Sequence, residues 1–100
     1  MKTITFLLLT FPTFLGAQKS IRNPTLVEAA CGQCQFQAKG QGCDLAIRYR
    51  GQVYFVDGSN IDEHGDAHAK NGFCNAIRKA EVTGSFKRKR FVAKTFKVMD

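Results

Sequence analysis

The sequence contains six residues of the types that bind transition metals, and they fall into two groups. They are Cys31, Cys34, Cys43, His64, His68 and Cys74. Two cysteines separated by two residues can hold one ion from a tight turn, and Gly32 makes such a turn easier. Two histidines four residues apart share one face of a helix and can reach one ion together. The spacing therefore predicts a metal site, for which thiolates and imidazoles favour zinc or copper.

The same four cysteines support a second interpretation, namely two structural disulfides. An even number of cysteines in a short exported chain is typical of a covalent framework, in which each bridge contributes roughly 2 to 4 kcal/mol. If Cys31 and Cys34 lie in an extended strand, their side chains point to opposite faces and cannot bond to each other. Pairing with Cys43 and Cys74 is then preferred, and the choice between metal and disulfides stays open.

Thiol redox chemistry at Cys31 and Cys34 is a third interpretation. Redox pairs with this spacing usually lie where the N-terminus of a helix lowers the pKa of the first thiol. We expect Cys31 and Cys34 in a strand instead, which disfavours this interpretation.

Two carboxylates, Asp62 and Asp66, flank His64 in the sequence. They can act as hydrogen-bond partners that orient the histidine rings around a metal. Alternatively they favour the positive end of a helix, where Asp62 is also suited to be the N-cap.

The elements that must position these residues are mostly strands. A short strand is predicted over residues 25–30, and alternation on both sides of Gly51 predicts a hairpin over residues 44–56. Residues 61–78 should hold the only helix, in two short pieces, and residues 80–98 a second hairpin. The predicted fold is mainly β with one short helix (α+β), a small OB-like five-stranded barrel. A two-layer α+β sandwich has the same order of elements.

The tip of the second hairpin is strongly basic. It consists of Lys87, Arg88, Lys89 and Arg90. The whole chain carries a formal charge of +7, and such a balance attracts polyanions. We therefore expect this tip to bind anions, with an anionic surface or an envelope protein as partner. Export makes nucleic acid an improbable ligand.

The N-terminus has the layout of a secretory signal, with one positive charge, an apolar run and a small residue before a polar stretch. We expect a signal peptide over residues 1–17, a flexible leader over 18–24 and a Cys-rich domain over 25–100. The apolar run is shorter than a membrane-spanning helix requires, so no transmembrane anchor is expected after cleavage. The expected location is periplasmic or extracellular, where disulfides persist.

Several motifs together resemble an uncharacterised family of short exported proteins of Bacteroidetes-type bacteria. They are CGQCQF, GCDLAI, YFVDG, IDEHGDAHA, GFCNAIRKA and VTG. The resemblance extends from about Glu28 to Val98 and implies an OB-like fold and a location in the cell envelope. It carries no activity. The matching polar positions are Cys31, Cys34, Cys43, Asp57, Asp62, His64, Asp66, His68 and Cys74.

Two functions follow from these observations. The first is an exported domain that binds zinc or copper through the Cys/His cluster. The alternative is a disulfide-stapled module that binds a peptide, a glycan or an anionic surface without a metal. The sequence favours a non-enzymatic role, because it has no nucleophile paired with a base and no glycine-rich phosphate loop.

Overall fold

A computed structural model describes residues 20–99 and contains five strands and two single-turn helices. The predicted signal peptide, residues 1–17, lies outside this range. The elements are β1 (Ser20–Cys31), α1 (Gly32–Gln35), β2 (Leu45–Tyr49), β3 (Gln52–Asp57), a 3-10 turn (Ile61–His64), β4 (Arg78–Lys87) and β5 (Arg90–Met99). Strand β1 begins five residues before the predicted one, because Ile21 already pairs with Gly84 of β4. Residues 20–24 of the expected leader therefore belong to the barrel.

The strands form a closed barrel in the order β1-β2-β3-β5-β4. All neighbours are antiparallel except β3 and β5, which run parallel from the pair Phe55 and Arg90 to the pair Asp57 and Val92. This parallel closure after a three-strand meander is the arrangement of an OB-like barrel. The predicted fold class is confirmed.

All five strands contribute buried residues to the core, and in β1 and β2 three consecutive residues are buried. Four alanines of the strands are completely buried, namely Ala29, Ala30, Ala46 and Ala80. Phe73 and Phe91 are the largest buried side chains. Since Phe73 lies outside the strands, the core depends on the connection between β3 and β4 as well as on the sheet.

Both predicted hairpins are confirmed, and each has a two-residue turn. Arg50 and Gly51 join β2 to β3 with φ angles of 53° and 81°, and Arg88 and Lys89 join β4 to β5 with 52° and 67°. Positive φ at both central residues identifies type I′ turns, whose twist matches that of the strands. We call the end of the barrel that carries these two turns the hairpin end.

The helix predicted within residues 61–78 is wrong. Only the 3-10 turn Ile61–His64 forms there, and tight turns follow it, closed by hydrogen bonds such as Ala69 N to Asp66 O and Gly72 N to Ala69 O. The turn ends at Gly65, whose φ of 96° is left-handed and incompatible with a continuing helix. The short α-helix lies instead at Gly32–Gln35, in the segment where we expected an extended chain.

Among residues 20–99, no helix has the length and apolar character needed to cross a bilayer.

Candidate metal centre

The sulfur atoms of all four cysteines meet at the end of the barrel opposite the hairpin end. The Sγ atoms of Cys31, Cys34, Cys43 and Cys74 all lie within 4.8 Å of one another. The Sγ of Cys43 is 2.9 Å from that of Cys31 and 3.8 Å from that of Cys34. All four thiols are free, since a disulfide bond is only about 2.05 Å long. We call this region the cysteine end.

Cys31 and Cys34 are positioned by the junction between β1 and α1. Cys31 is the last residue of β1 and the N-cap of α1, and its Sγ accepts a hydrogen bond from the backbone N–H of Cys34 at 3.3 Å. This turn brings both thiols to the same side, so the extended geometry expected from the sequence is wrong. Gly32 is required here, because a Cβ at this position would lie 2.7 Å from the ring of Phe55.

Backbone hydrogen bonds beside Cys31 bring in the two distant cysteines. The N–H of Cys31 donates to the carbonyl of Phe73, the residue before Cys74, at 3.0 Å. The N–H of Gly32 donates to the carbonyl of Asp44, the residue after Cys43, at 2.8 Å. The cluster is thus assembled by three chain segments that meet at the end of β1.

Gln33 and Gln35 support the cluster, and the sequence analysis did not identify either residue. The amide nitrogen of Gln33 donates to the Asp44 carboxylate at 2.8 Å, and its amide oxygen accepts from the Asp44 N–H at 2.9 Å. The amide nitrogen of Gln35 donates to the Cys74 carbonyl at 2.8 Å. Both belong to the sequence CGQCQ, where glutamines next to a cysteine pair were the available signal.

The thiols have different proton affinities. Burial raises the pKa of Cys31, but hydrogen bonds from the side chains of Cys43 and Cys34 and from backbone N–H groups outweigh it and lower the pKa overall. The pKa of Cys34 is raised, mainly by its contact with Cys31. The pKa of Cys43 is raised strongly by burial and by the neighbouring thiols. Cys31 therefore becomes a thiolate more readily than Cys34 or Cys43.

The cluster contains neither of the two histidines. The Nε2 of His64 is 2.7 Å from Ser59 Oγ, and its ring packs against Phe73 and Phe96 at centroid distances of 5.8 and 4.9 Å. His68 is exposed. The two rings do not share a helix face, because the predicted helix does not form. The structure thus groups four of the six predicted ligands.

The acidic residues near the histidines have local roles. Asn60, and not Asp62, is the N-cap of the 3-10 turn, since its side chain accepts from the Asp62 N–H. The carboxylate of Asp66 accepts from the His68 N–H at 2.9 Å and closes a turn. In the described structure, the hydrogen bonds of these residues lie within their own loop, so the second-shell role expected for Asp62 and Asp66 has no geometric support.

The four residues of the basic tip do not have the same surroundings. Lys87, Arg88 and Lys89 are exposed at the hairpin end. Arg90 instead forms a two-pronged ion pair with Asp57, with both N–O distances at 2.9 Å. This contact lowers the pKa of Asp57. Arg90 is therefore engaged within the fold, unlike the other three.

Comparison of the chain with known proteins identifies its family but no function. No curated protein and no solved structure matches the chain. A family of unknown function, DUF6370, matches residues 25–99, which is nearly the whole described barrel and includes all four cysteines. The chain therefore belongs to this uncharacterised family, DUF6370.

Proposed function

We propose that this protein binds one zinc ion through Cys31, Cys34, Cys43 and Cys74. The supporting observation is the meeting of four sulfur atoms within 4.8 Å. In a tetrahedral zinc site with Zn–S distances near 2.3 Å, the sulfurs lie about 3.8 Å apart. The separation of Cys34 and Cys43 is 3.8 Å. An ion fits the cluster once the sulfurs of Cys31 and Cys43, which are 2.9 Å apart, separate by about 0.9 Å.

The composition of the cluster favours zinc over copper. Four thiolates suit zinc, whereas an imidazole-containing site would have left copper and zinc equally suited. His64 is held by Ser59 and two phenylalanine rings away from the sulfurs. Copper(I) and iron also bind thiolates, and elemental analysis distinguishes both of them from zinc.

A four-thiolate shell leaves no open coordination position for a substrate, so the ion stabilises the fold and does no chemistry. The domain is small, and a chain of this size buries too little apolar surface to hold long connections firmly. The connections on either side of β2 and β3 contain Cys43 and Cys74. The ion links both to the end of β1. Export to an oxidising compartment remains a prediction from residues 1–17.

The test is metal analysis of the protein purified from the full chain under reducing conditions. We expect one zinc per chain by elemental analysis and by native mass spectrometry, with loss of zinc in Cys34→Ser. The exposed His68 offers a matched control, and His68→Ala should retain the ion. A protein that binds no zinc after titration, or that retains zinc without Cys34, contradicts the proposal.

Gln33 gives a second test that leaves every ligand in place. Its two hydrogen bonds to Asp44 connect the turn of Cys31 and Cys34 to the segment of Cys43. Because residues that orient ligands typically contribute about 10- to 100-fold to metal affinity, Gln33→Ala should weaken zinc binding by that factor. Gln41→Ala is the control, since Gln41 is exposed in the same connection. Equal affinities for the two variants contradict this role of Gln33.

Two disulfides are the competing state of the same cluster. The 2.9 Å separation of Cys31 and Cys43 favours this pair as one bridge, which leaves Cys34 and Cys74 as the other. Intact mass of the protein isolated from the cells that make it separates the two states. Two bridges remove four hydrogens and exclude zinc, whereas the zinc form loses only the metal on denaturation.

A further inference from the structure

The two hairpin turns are neighbours at one end of the barrel. Tyr49, which precedes the first turn, stacks on Phe86 near the second with a centroid distance of 5.5 Å. Arg90 pairs with Phe55 in the parallel ladder, so the turn before Arg90 lies beside the first half of β3. The first half of β3 begins directly after the other turn. The two turns therefore project from the same end of the molecule.

This end is positively charged and has few carboxylates to compensate it. Arg50, Lys87, Arg88 and Lys89 are all exposed. Residues 46–56 and 82–99, which form the two hairpins from β2 to β3 and along most of β4 and β5, contain no acidic residue. The ion pairs described within residues 20–99 are those of Arg48 with Glu28 and Arg90 with Asp57. Neither involves these four residues.

Three of the four cations occupy backbone positions for which they are poorly suited. The φ angles of Arg50, Arg88 and Lys89 are 53°, 52° and 67°. In type I′ turns these positions favour asparagine and glycine, because a side chain with a Cβ makes left-handed backbone costly. Residues kept at such a cost commonly serve a function. The positive φ angles thus indicate that the basic side chains in the two turns have a function.

We propose that Arg50, Lys87, Arg88 and Lys89 form a docking surface for an anionic phospholipid bilayer. Two adjacent convex turns can contact a planar charged surface at the same time, and each basic side chain near such a surface adds to the attraction. A surface that attracts by charge, with few exposed aromatic rings, differs from a site for single-stranded nucleic acid. Single-stranded nucleic acid is usually held by exposed aromatic rings on which bases stack.

The aromatic rings at the hairpin end pack against one another, which leaves less of their surface for stacking with bases. Phe86 packs against Tyr49, against Tyr54 at 4.6 Å and against Phe91 at 5.0 Å between ring centroids. Phe91 is completely buried. Tyr49, Tyr54 and Phe86 are half-buried by these contacts, whereas the four cations are exposed.

The test is sedimentation with lipid vesicles, using protein purified after expression of the full chain, so that every variant has the same N-terminus. Vesicles of phosphatidylglycerol and phosphatidylcholine in equal parts are compared with vesicles of phosphatidylcholine alone. The variant R88N/K89G introduces residues that suit a type I′ turn, so it removes two charges without weakening the hairpin. We expect it to bind the anionic vesicles about 25-fold more weakly, since each of the two cations contributes roughly a fivefold factor.

The control is K79Q/K97Q, which removes two exposed charges at the opposite end of the same hairpin. It should keep wild-type binding to the anionic vesicles. If both double variants lose the same amount of affinity for the anionic vesicles, net charge alone explains the binding and the proposed docking surface is contradicted. Unchanged affinity of R88N/K89G would also contradict it. Tighter binding to a short DNA duplex or oligonucleotide than to the vesicles would overturn the choice of lipid. The outcome is independent of zinc, which is measured in the same samples.

Discussion

The cysteine end and the hairpin end of the barrel are held together by different kinds of interaction. At the cysteine end, three segments distant in the sequence converge, and backbone hydrogen bonds from Cys31 and Gly32 join them. At the hairpin end, two-residue turns connect neighbouring strands, and Phe86 packs with three other rings. The first arrangement depends on long-range contacts and, in our proposal, on a bound ion. The second depends on local turn geometry and aromatic packing.

The largest difference between the two ends should come from metal removal. Treating the zinc-loaded protein with a chelator should lower its melting temperature by about 10 °C or more, because zinc binding contributes directly to folding. The measurement is thermal unfolding followed by circular dichroism before and after chelation. R88N/K89G is the control and should show the same decrease. An unchanged melting temperature on metal loss would contradict a stabilising role of the cysteine end.

The hairpin end should respond most strongly to loss of a buried ring. Phe91 is completely buried, and Phe91→Ala should destabilise the protein by about 3 to 5 kcal/mol through lost apolar burial and a cavity. Urea unfolding measures the change, and Phe91→Leu, which keeps most of the volume, should lose less. Zinc stoichiometry should stay at one per chain. A loss below about 1 kcal/mol would show that the ring is not essential to closing this end.

A smaller effect of opposite sign is expected from the turn itself. R88N/K89G should raise the free energy of unfolding by about 1 kcal/mol, because asparagine and glycine accept left-handed backbone more readily than arginine and lysine. R88Q/K89Q removes the same two charges but keeps side chains that are poorly suited to left-handed backbone, so it separates backbone strain from charge repulsion. If the free energy of unfolding, measured in urea, rises equally in both variants, charge repulsion and not turn geometry is the cause.

The smallest expected effect is the pH dependence of stability that comes from His64. Burial lowers the pKa of His64, with the charge of Arg78 acting in the same direction and that of Glu63 opposing it. The unfolded chain therefore binds a proton more readily than the folded one. Stability from this group is present above its ordinary pKa of 6.5 and is lost as the pH falls through the lower folded value.

The measurement for His64 compares urea unfolding of the wild type and His64→Gln between pH 7 and pH 5.5. Taking the difference between the two proteins removes acid effects on the thiols, which they share. The difference should narrow as the pH falls. A difference that stays constant over this range would contradict the burial of His64 as a neutral ring.

The sequence by itself determined the strand pattern and both hairpins. Alternating apolar residues around Arg50 and Gly51 and around Lys87 to Arg90 are local signals, since the turn and the strands that it joins are adjacent in the chain. The OB-like order followed from these local elements. The sequence also identified the four cysteines, because thiols at short spacing are informative wherever the chain places them.

Only the tertiary structure decided which candidates meet. Cys43 and Cys74 reach Cys31 through backbone contacts across 12 and 43 residues of sequence, and no local pattern contains that information. His64 and His68 were predicted on one helix face. The 3-10 turn instead ends at Gly65, whose backbone is left-handed, and the His64 ring packs against Phe73 and Phe96. Arg90 was predicted to bind anions with the basic tip, but the pairing of β3 with β5 brings it to Asp57, with which it forms an ion pair. For the cysteines and for Arg90, long-range packing decided the outcome, whereas the histidine helix was ended by the local geometry of Gly65.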